Sequence, residues 1–199
     1  MPVWKNLEMF ARKIKKTIVQ WEDADLPLSV EETKMRVHEL IGESEDAVYD
    51  ILEVPEKTVN PFSLQLRLHD LVRNNREARR NIVVTVTERP YGRADDRAPH
   101  FTALMLDRRA RTALWADSTD EAIPDEVRRA VGNVYQRRGK PIMCWQRYTL
   151  QQYHGLTCGI WMLDNVRRWL DGRPLFVPKT PWETDRYIER VQDEFCALC

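Results

Sequence analysis

Every residue from Ile82 to Thr87 is β-branched. Such side chains are stiff about χ1, crowd a helix and pack well on a pleated surface, so this run reads as a strand. It divides the chain into two textures. Before it, the apolar residues recur at helical spacing. Trp4, Leu7, Phe10, Ile14, Ile18 and Trp21, with lysines between them, predict an amphipathic helix over residues 4–21. Ser29 followed by Glu32 has the form of a capping box, opening a helix through Met35, Leu40 and Ile41 that Gly42 ends. A short helix is expected over Glu45 to Leu52, and Leu64, Leu68, Leu71 and Val72 after Asn60-Pro61 predict another. Residues 1–80 therefore read as a mainly helical region, and 81–199 as a second region with its own sheet.

In that second region, Arg89 to Pro99 reads as a polar loop. Phe101 to Leu106 and Thr112 to Ala116 flank the turn-like Asp107 to Arg111 and read as a hairpin. Pro124 opens a helix to Arg138, Pro141 to Tyr148 is a further strand, Ile160 to Leu170 a helix, and Thr180-Pro-Trp-Glu183 starts a last one. Strands mixed with helices in this order predict an α+β fold, a sheet with helices packed around it.

The 199 residues are 43% hydrophobic, enough to bury a core in one domain or in one domain with an extension. Lysine plus arginine equals aspartate plus glutamate at 31 each, so no global charge favours nucleic acid or an anionic membrane. Lys5, Arg12, Lys13, Lys15 and Lys16 interrupt the N-terminal apolar pattern, so it predicts neither a signal-peptide core nor a membrane span. Four cysteines without framework spacing point to a reducing compartment, the cytoplasm or nucleus, in a host cell if the protein is delivered to one.

One of those cysteines has the setting of a nucleophile. Cys158 directly precedes an amphipathic helical stretch, where the positive end of the helix dipole favours thiolate over thiol. Gln152, six residues earlier, reaches back toward the same point, and with the first backbone N–H groups of the helix would form an oxyanion hole. Gln151 is the alternative donor. Upstream, His100 opens one strand of the hairpin and Asp117 ends the other, which suits a base and the carboxylate that orients it. Asp107 and Asp120 compete with Asp117 for that role. His154 has no acidic partner nearby in sequence and reads as a loop residue, His38 and His69 as surface residues, and Cys144 as core. Cys196 and Cys199 form a C-x-x-C without a second ligand pair, so no metal site is expected.

The order His100, Asp117-Ser118, Gln152, Cys158-Gly159 resembles the clan CE cysteine proteases, among them the ubiquitin-like-protein-specific proteases and the adenovirus protease. The resemblance spans roughly residues 82–171. Papain-like enzymes place the cysteine first in the chain. The family usually has tryptophan after the histidine and aspartate before the cysteine, where this chain has Phe101 and Thr157.

The resemblance implies a mixed central sheet with a papain-like core. It implies a monomeric thiol protease or isopeptidase without cofactor, cleaving after the C-terminal glycine of ubiquitin, SUMO or NEDD8. Catalysis would fall to His100, Asp117, Gln152 and Cys158, with Phe101 and Trp145 lining a channel for the glycine-rich tail. The helical region of residues 1–80 would serve as a substrate-binding extension, as part of the same domain, or as both. Two other readings use the same residues: an effector-type acetyltransferase, which commonly has glutamate as the acid, and a non-catalytic module that binds a ubiquitin-like protein.

Overall fold

The computed structural model describes residues 29–42, 46–54, 61–75, 78–90, 97–119, 121–135, 143–146, 151 and 157–197. The helix expected over residues 4–21 lies outside them. In chain order the elements are α1 (Val30–Gly42), β1 (Ala47–Val54), α2 (Pro61–Asn74), β2 (Arg80–Pro90), β3 (Arg97–Asp107), β4 (Thr112–Ala116), α3 (Asp125–Tyr135), β5 (Met143–Gln146), α4 (Cys158–Leu170) and α5 (Pro181–Ala197). The five strands lie in sequence order, with β2, β3 and β4 antiparallel and β1 and β5 added parallel at the two edges. This is the α+β, mixed-sheet class the sequence predicts.

Period-two alternation sends the strand residues to two separate cores. Ile82, Val84 and Val86 of β2 and Phe101, Ala103 and Met105 of β3 pack with α1, α4 and α5. Val83 of β2, Leu104 and Leu106 of β3, and Ala113 and Trp115 of β4 pack with Leu64, Leu68 and Leu71 of α2 and Val127, Ala130 and Val131 of α3. The sheet is thus covered by helices on both faces.

That double cover explains where the sequence reading fails. Residues 47–54 form β1 rather than the helix expected over Glu45 to Leu52. Ala47, Tyr49 and Ile51 face one core while Val48 and Leu52 face the other. A strand buried on both sides has apolar residues at both parities and loses the alternation that identifies a half-buried strand. β1 pairs in parallel with β2 from Ala47↔Arg80 to Val54↔Thr87, and α1 packs in the same hydrophobic cluster as α4. The polar loop expected over Arg89 to Pro99 is shorter than predicted. The ladder of β2 and β3 continues through Arg89↔Ala98 and Pro90↔Arg97.

The helix starts follow their predicted chemistry. The Glu32 amide donates to Ser29 Oγ at 3.2 Å and the Ser29 amide donates to Glu32 Oε2 at 2.9 Å, the reciprocal pair of a capping box. At α5, the Glu183 amide donates to Thr180 Oγ1 at 3.1 Å.

The two-faced packing predicts a contrast within α2. Leu68 is fully buried against the sheet while Leu66 is 53% exposed. Leu68→Ala should cost about 2–5 kcal/mol in urea unfolding, and Leu66→Ala less than about 0.5 kcal/mol. Equal costs would contradict the assignment of the α2 face.

Candidate active site

His100 lies on β3 opposite Thr87 of β2, beyond the last β3–β4 pair, Ala103↔Ala116. The chain leaving β4 at Ala116 turns at once, and this brings Asp117 beside the imidazole. His100 Nε2 is 3.2 Å from both Asp117 Oδ1 and Oδ2. Both side chains are buried, His100 at 5% exposure and Asp117 at 6%. The carboxylate is itself held, because Oδ1 accepts from the Thr119 amide at 2.8 Å and from Thr119 Oγ1 at 2.7 Å. Thr119 escaped the sequence reading, although Asp followed two residues later by a hydroxyl residue is the spacing of an Asx-type turn.

Asp107, the rival carboxylate, sits at the other end of the hairpin. It accepts from Arg79 Nη2 at 2.7 Å and from the Ala110 amide at 2.7 Å, and so closes the β3–β4 turn. Seven residues of strand, about 23 Å, separate it from His100. Asp120 is outside the described residues.

Cys158 is the first residue of α4, and the residue is 3% exposed. Its Sγ donates to the carbonyl oxygen of Pro99, the residue before His100, at 3.5 Å, which sets the thiol beside the strand residue that carries the imidazole. With Nε2 turned to Asp117, Nδ1 is the nitrogen left for the thiol. Thr157 occupies the N-cap without a side-chain cap, and its buried Oγ1 has no hydrogen-bond partner. The first-turn amides of α4, which have no partner within the helix, therefore carry no capping oxygen from Thr157.

No protein-family model matches the sequence, and no curated protein matches it. Solved structures do. The Chlamydia abortus effector protein ChlaDUB superposes with a TM-score of 0.59 at 15% identity, over 81% of this chain and 89% of that one. The SUMO protease Ulp1 superposes with a TM-score of 0.54 at 12% identity, over 87% and 78% respectively. The Chlamydia trachomatis effector ChlaDUB1 superposes with a TM-score of 0.52 at 15% identity, over 100% and 91%. The chain has the clan CE ubiquitin-like-protease fold.

Within this fold three of the residues singled out in the sequence, His100, Asp117 and Cys158, come together at one end of the sheet. Gln152 and His154 lie outside the described residues. Gln151 is 2% exposed, and its amide is paired with Asn165 in the core, which leaves it no hydrogen for a substrate oxygen. Phe101 is 1% exposed and belongs to the core cluster that also contains Cys158.

Trp145 lies in β5 opposite Leu114, and its side chain is outside the described residues, as is that of Cys144. His38 and His69 are on the surface, His38 Nδ1 lying 3.0 Å from the Tyr49 hydroxyl. Among the described residues no group of three or more His, Cys, Asp or Glu side chains is placed to hold a metal, and no helix is long and apolar enough to cross a membrane.

The electrostatics of the trio favour charge on the ring. Burial lowers the proton affinity of His100, but hydrogen bonds and charge from Asp117 and Cys158 outweigh it and raise the pKa to about 9. Asp117 moves the other way. Burial favours its neutral form, yet His100 and the two Thr119 donors hold the carboxyl below its ordinary value.

The signs give a pH window. A raised histidine contributes stability that is complete below its unfolded value and is lost as pH rises toward about 9. A depressed carboxylate contributes stability present above its unfolded value and lost as the medium is acidified. The melting temperature of the wild type should therefore fall between about pH 6.5 and pH 9 more steeply than that of Asp117→Asn, in which the ring loses its charged partner. Parallel slopes would show that His100 is not charged by this pairing.

Proposed function

We propose that the protein is a cysteine protease or isopeptidase that cleaves after the C-terminal glycine of ubiquitin or a ubiquitin-like protein. The observation that carries the reading is the buried Asp117–His100–Cys158 trio at the end of a sheet of this fold. Names of the structural neighbours supply the substrate class: a SUMO protease, and the Ulp1 protease domain in complex with Smt3, the yeast ortholog of SUMO, which superposes with a TM-score of 0.51 at 14% identity. The recessed thiol fits that class. A nucleophile only 3% exposed admits a narrow extended tail, and a tail ending in glycine carries no side chain to obstruct approach.

The chemistry follows from the positions. His100 Nδ1 takes the thiol proton while Asp117, hydrogen-bonded through Nε2, orients the ring and balances its charge. The thiolate adds to the carbonyl of the terminal glycine. The oxyanion is received by the backbone N–H of Cys158 and by the Gln152 side chain, both assigned from the sequence pattern. Collapse expels the lysine amine, which takes the proton from His100, and leaves a thioester on Cys158. Water, with His100 again as base, hydrolyses it.

The test is covalent capture. Purified protein is exposed to ubiquitin, SUMO and NEDD8 carrying C-terminal electrophiles, and the modified residue is located by mass spectrometry. An adduct on Cys158 with at least one modifier, absent in Cys158→Ala, is the expected result. His100→Ala should slow hydrolysis of the matching substrate by about 10³-fold or more, as loss of the base does in comparable triads. Turnover that survives Cys158→Ala would sink the assignment. An unusually reactive Cys158 with no adduct from any modifier would favour the acetyltransferase reading, which transfer from labelled acetyl-CoA would then decide.

A further inference from the structure

Gln151 is almost wholly buried, and every polar atom it carries has a partner. Its backbone N–H donates to the Ser118 carbonyl at 2.9 Å. Its Nε2 donates to Asn165 Oδ1 at 2.9 Å and to the Phe176 carbonyl at 2.7 Å. Its Oε1 accepts from Asn165 Nδ2 at 2.8 Å, and its carbonyl accepts from Thr184 Oγ1 at 3.2 Å.

Four segments meet on this one residue: the turn that holds Asp117, helix α4, the connection that follows it, and α5. Asn165 is seven residues after Cys158, two helical turns along, and so lies on the nucleophile's own face of α4. A buried amide is costly to desolvate unless all its hydrogen bonds are made, and a fully satisfied one fixes a single arrangement of the segments it joins.

The next residue in the chain is Gln152. An oxyanion donor acts only if it already stands where charge develops, and a misplacement of about 1 Å can cost on the order of 10²-fold in rate. We infer that Gln151 is a positioning residue for the oxyanion site: it fixes the chain entering Gln152 relative to both Asp117 and α4. This rests on the protease reading above. Gln151 touches neither substrate nor reacting atoms, and its effect on rate passes through Gln152.

A double-mutant cycle separates this from a purely structural role. The kcat and KM for C-terminal aminocoumarin derivatives of ubiquitin, SUMO and NEDD8 are measured for wild type, Gln151→Ala, Gln152→Ala and the double variant. Gln152→Ala should lower kcat about 10²–10³-fold. Gln151→Ala should lower kcat about tenfold or more with KM within about twofold, yet cost less than about twofold further when Gln152 is already alanine. Alkylation of Cys158 by iodoacetamide, which develops no oxyanion, should be unchanged by Gln151→Ala.

Additive losses in kcat, or a lowered melting temperature with kcat intact, would overturn the inference. Should Gln151→Ala fail to fold, Thr184→Val removes one bond to the Gln151 carbonyl while keeping side-chain volume. It should lower kcat about threefold in the wild-type background and not in the Gln152→Ala background, and an unchanged kcat would count against the inference. Wild type inert toward all three derivatives would remove the protease reading and this inference with it. An active wild type with Gln151→Ala at full kcat removes this inference alone.

Discussion

The antiparallel ladder of β2 and β3 is the constraint to which the site is referred. It runs without interruption from Arg80↔Asp107 to Pro90↔Arg97, with helices on both faces. A slip of one residue would exchange the set Phe101, Ala103, Met105 with the set Leu104, Leu106, reversing which core each strand residue enters. One end of the hairpin is tied by Arg79, Asp107 and the Ala110 amide, and the Thr85 and Thr102 hydroxyls meet across the middle. With the register fixed from the turn end, His100 is delivered to a fixed place at the far end. There it meets Asp117, which β4 brings back in the opposite direction.

That meeting puts two titratable groups where water is largely excluded, and the protein must keep the carboxylate charged there. An ionised carboxylate taken out of water is costly unless it is paired and hydrogen-bonded. Asp117 has both kinds of compensation, a cationic ring on one side and the amide and hydroxyl of Thr119 on the other. The Thr119 donors are local in sequence and set the rotamer of Asp117 independently of the ring. His100 is therefore oriented by a carboxylate that is already held in place.

What the sequence revealed and what it concealed differ in a physical way. The hairpin and the capping box at Ser29 rest on residue types at short spacing, and local patterns report them directly. His100, Asp117 and Cys158 are far apart in the chain and were singled out by residue type and by their order, which resembles that of a known family. β1 was concealed because burial on both faces erases the alternation that marks a strand. The extended ends of β2 and β3 were concealed because Arg89, Pro90 and Arg97 look like loop while continuing the ladder. Phe101 shares strand parity with Ala103 and Met105, and that parity is core. Gln151 left none, since its partners are 14, 25 and 33 residues away in the chain and only the tertiary fold brings them together.

The nucleophile's helix is anchored as firmly as the hairpin, by a different means. Asp164 on α4 is fully buried and accepts from Arg167 at 2.7 Å, from Arg168 at 2.9 Å and from the Tyr187 hydroxyl of α5 at 2.6 Å. Burial, with the Asp164 bond, raises the Tyr187 hydroxyl to about 12, so it stays a donor at any pH where the fold is used. Tyr187 also stacks on Phe176, with ring centroids 3.8 Å apart, and on Trp161 at 5.3 Å. Removing one partner from such a cluster would strand a buried charge at a cost of about 3–5 kcal/mol, so its members hold one another in a single arrangement. Cys158 sits at the N-terminal end of this fixed helix, and α5, which clamps the helix, also supplies the Thr184 hydroxyl to Gln151. The helix that presents the thiol and the segment that leads into Gln152 are thus secured by the same neighbour. A displacement of α5 would disturb both together, and neither can shift relative to the other while α5 remains docked.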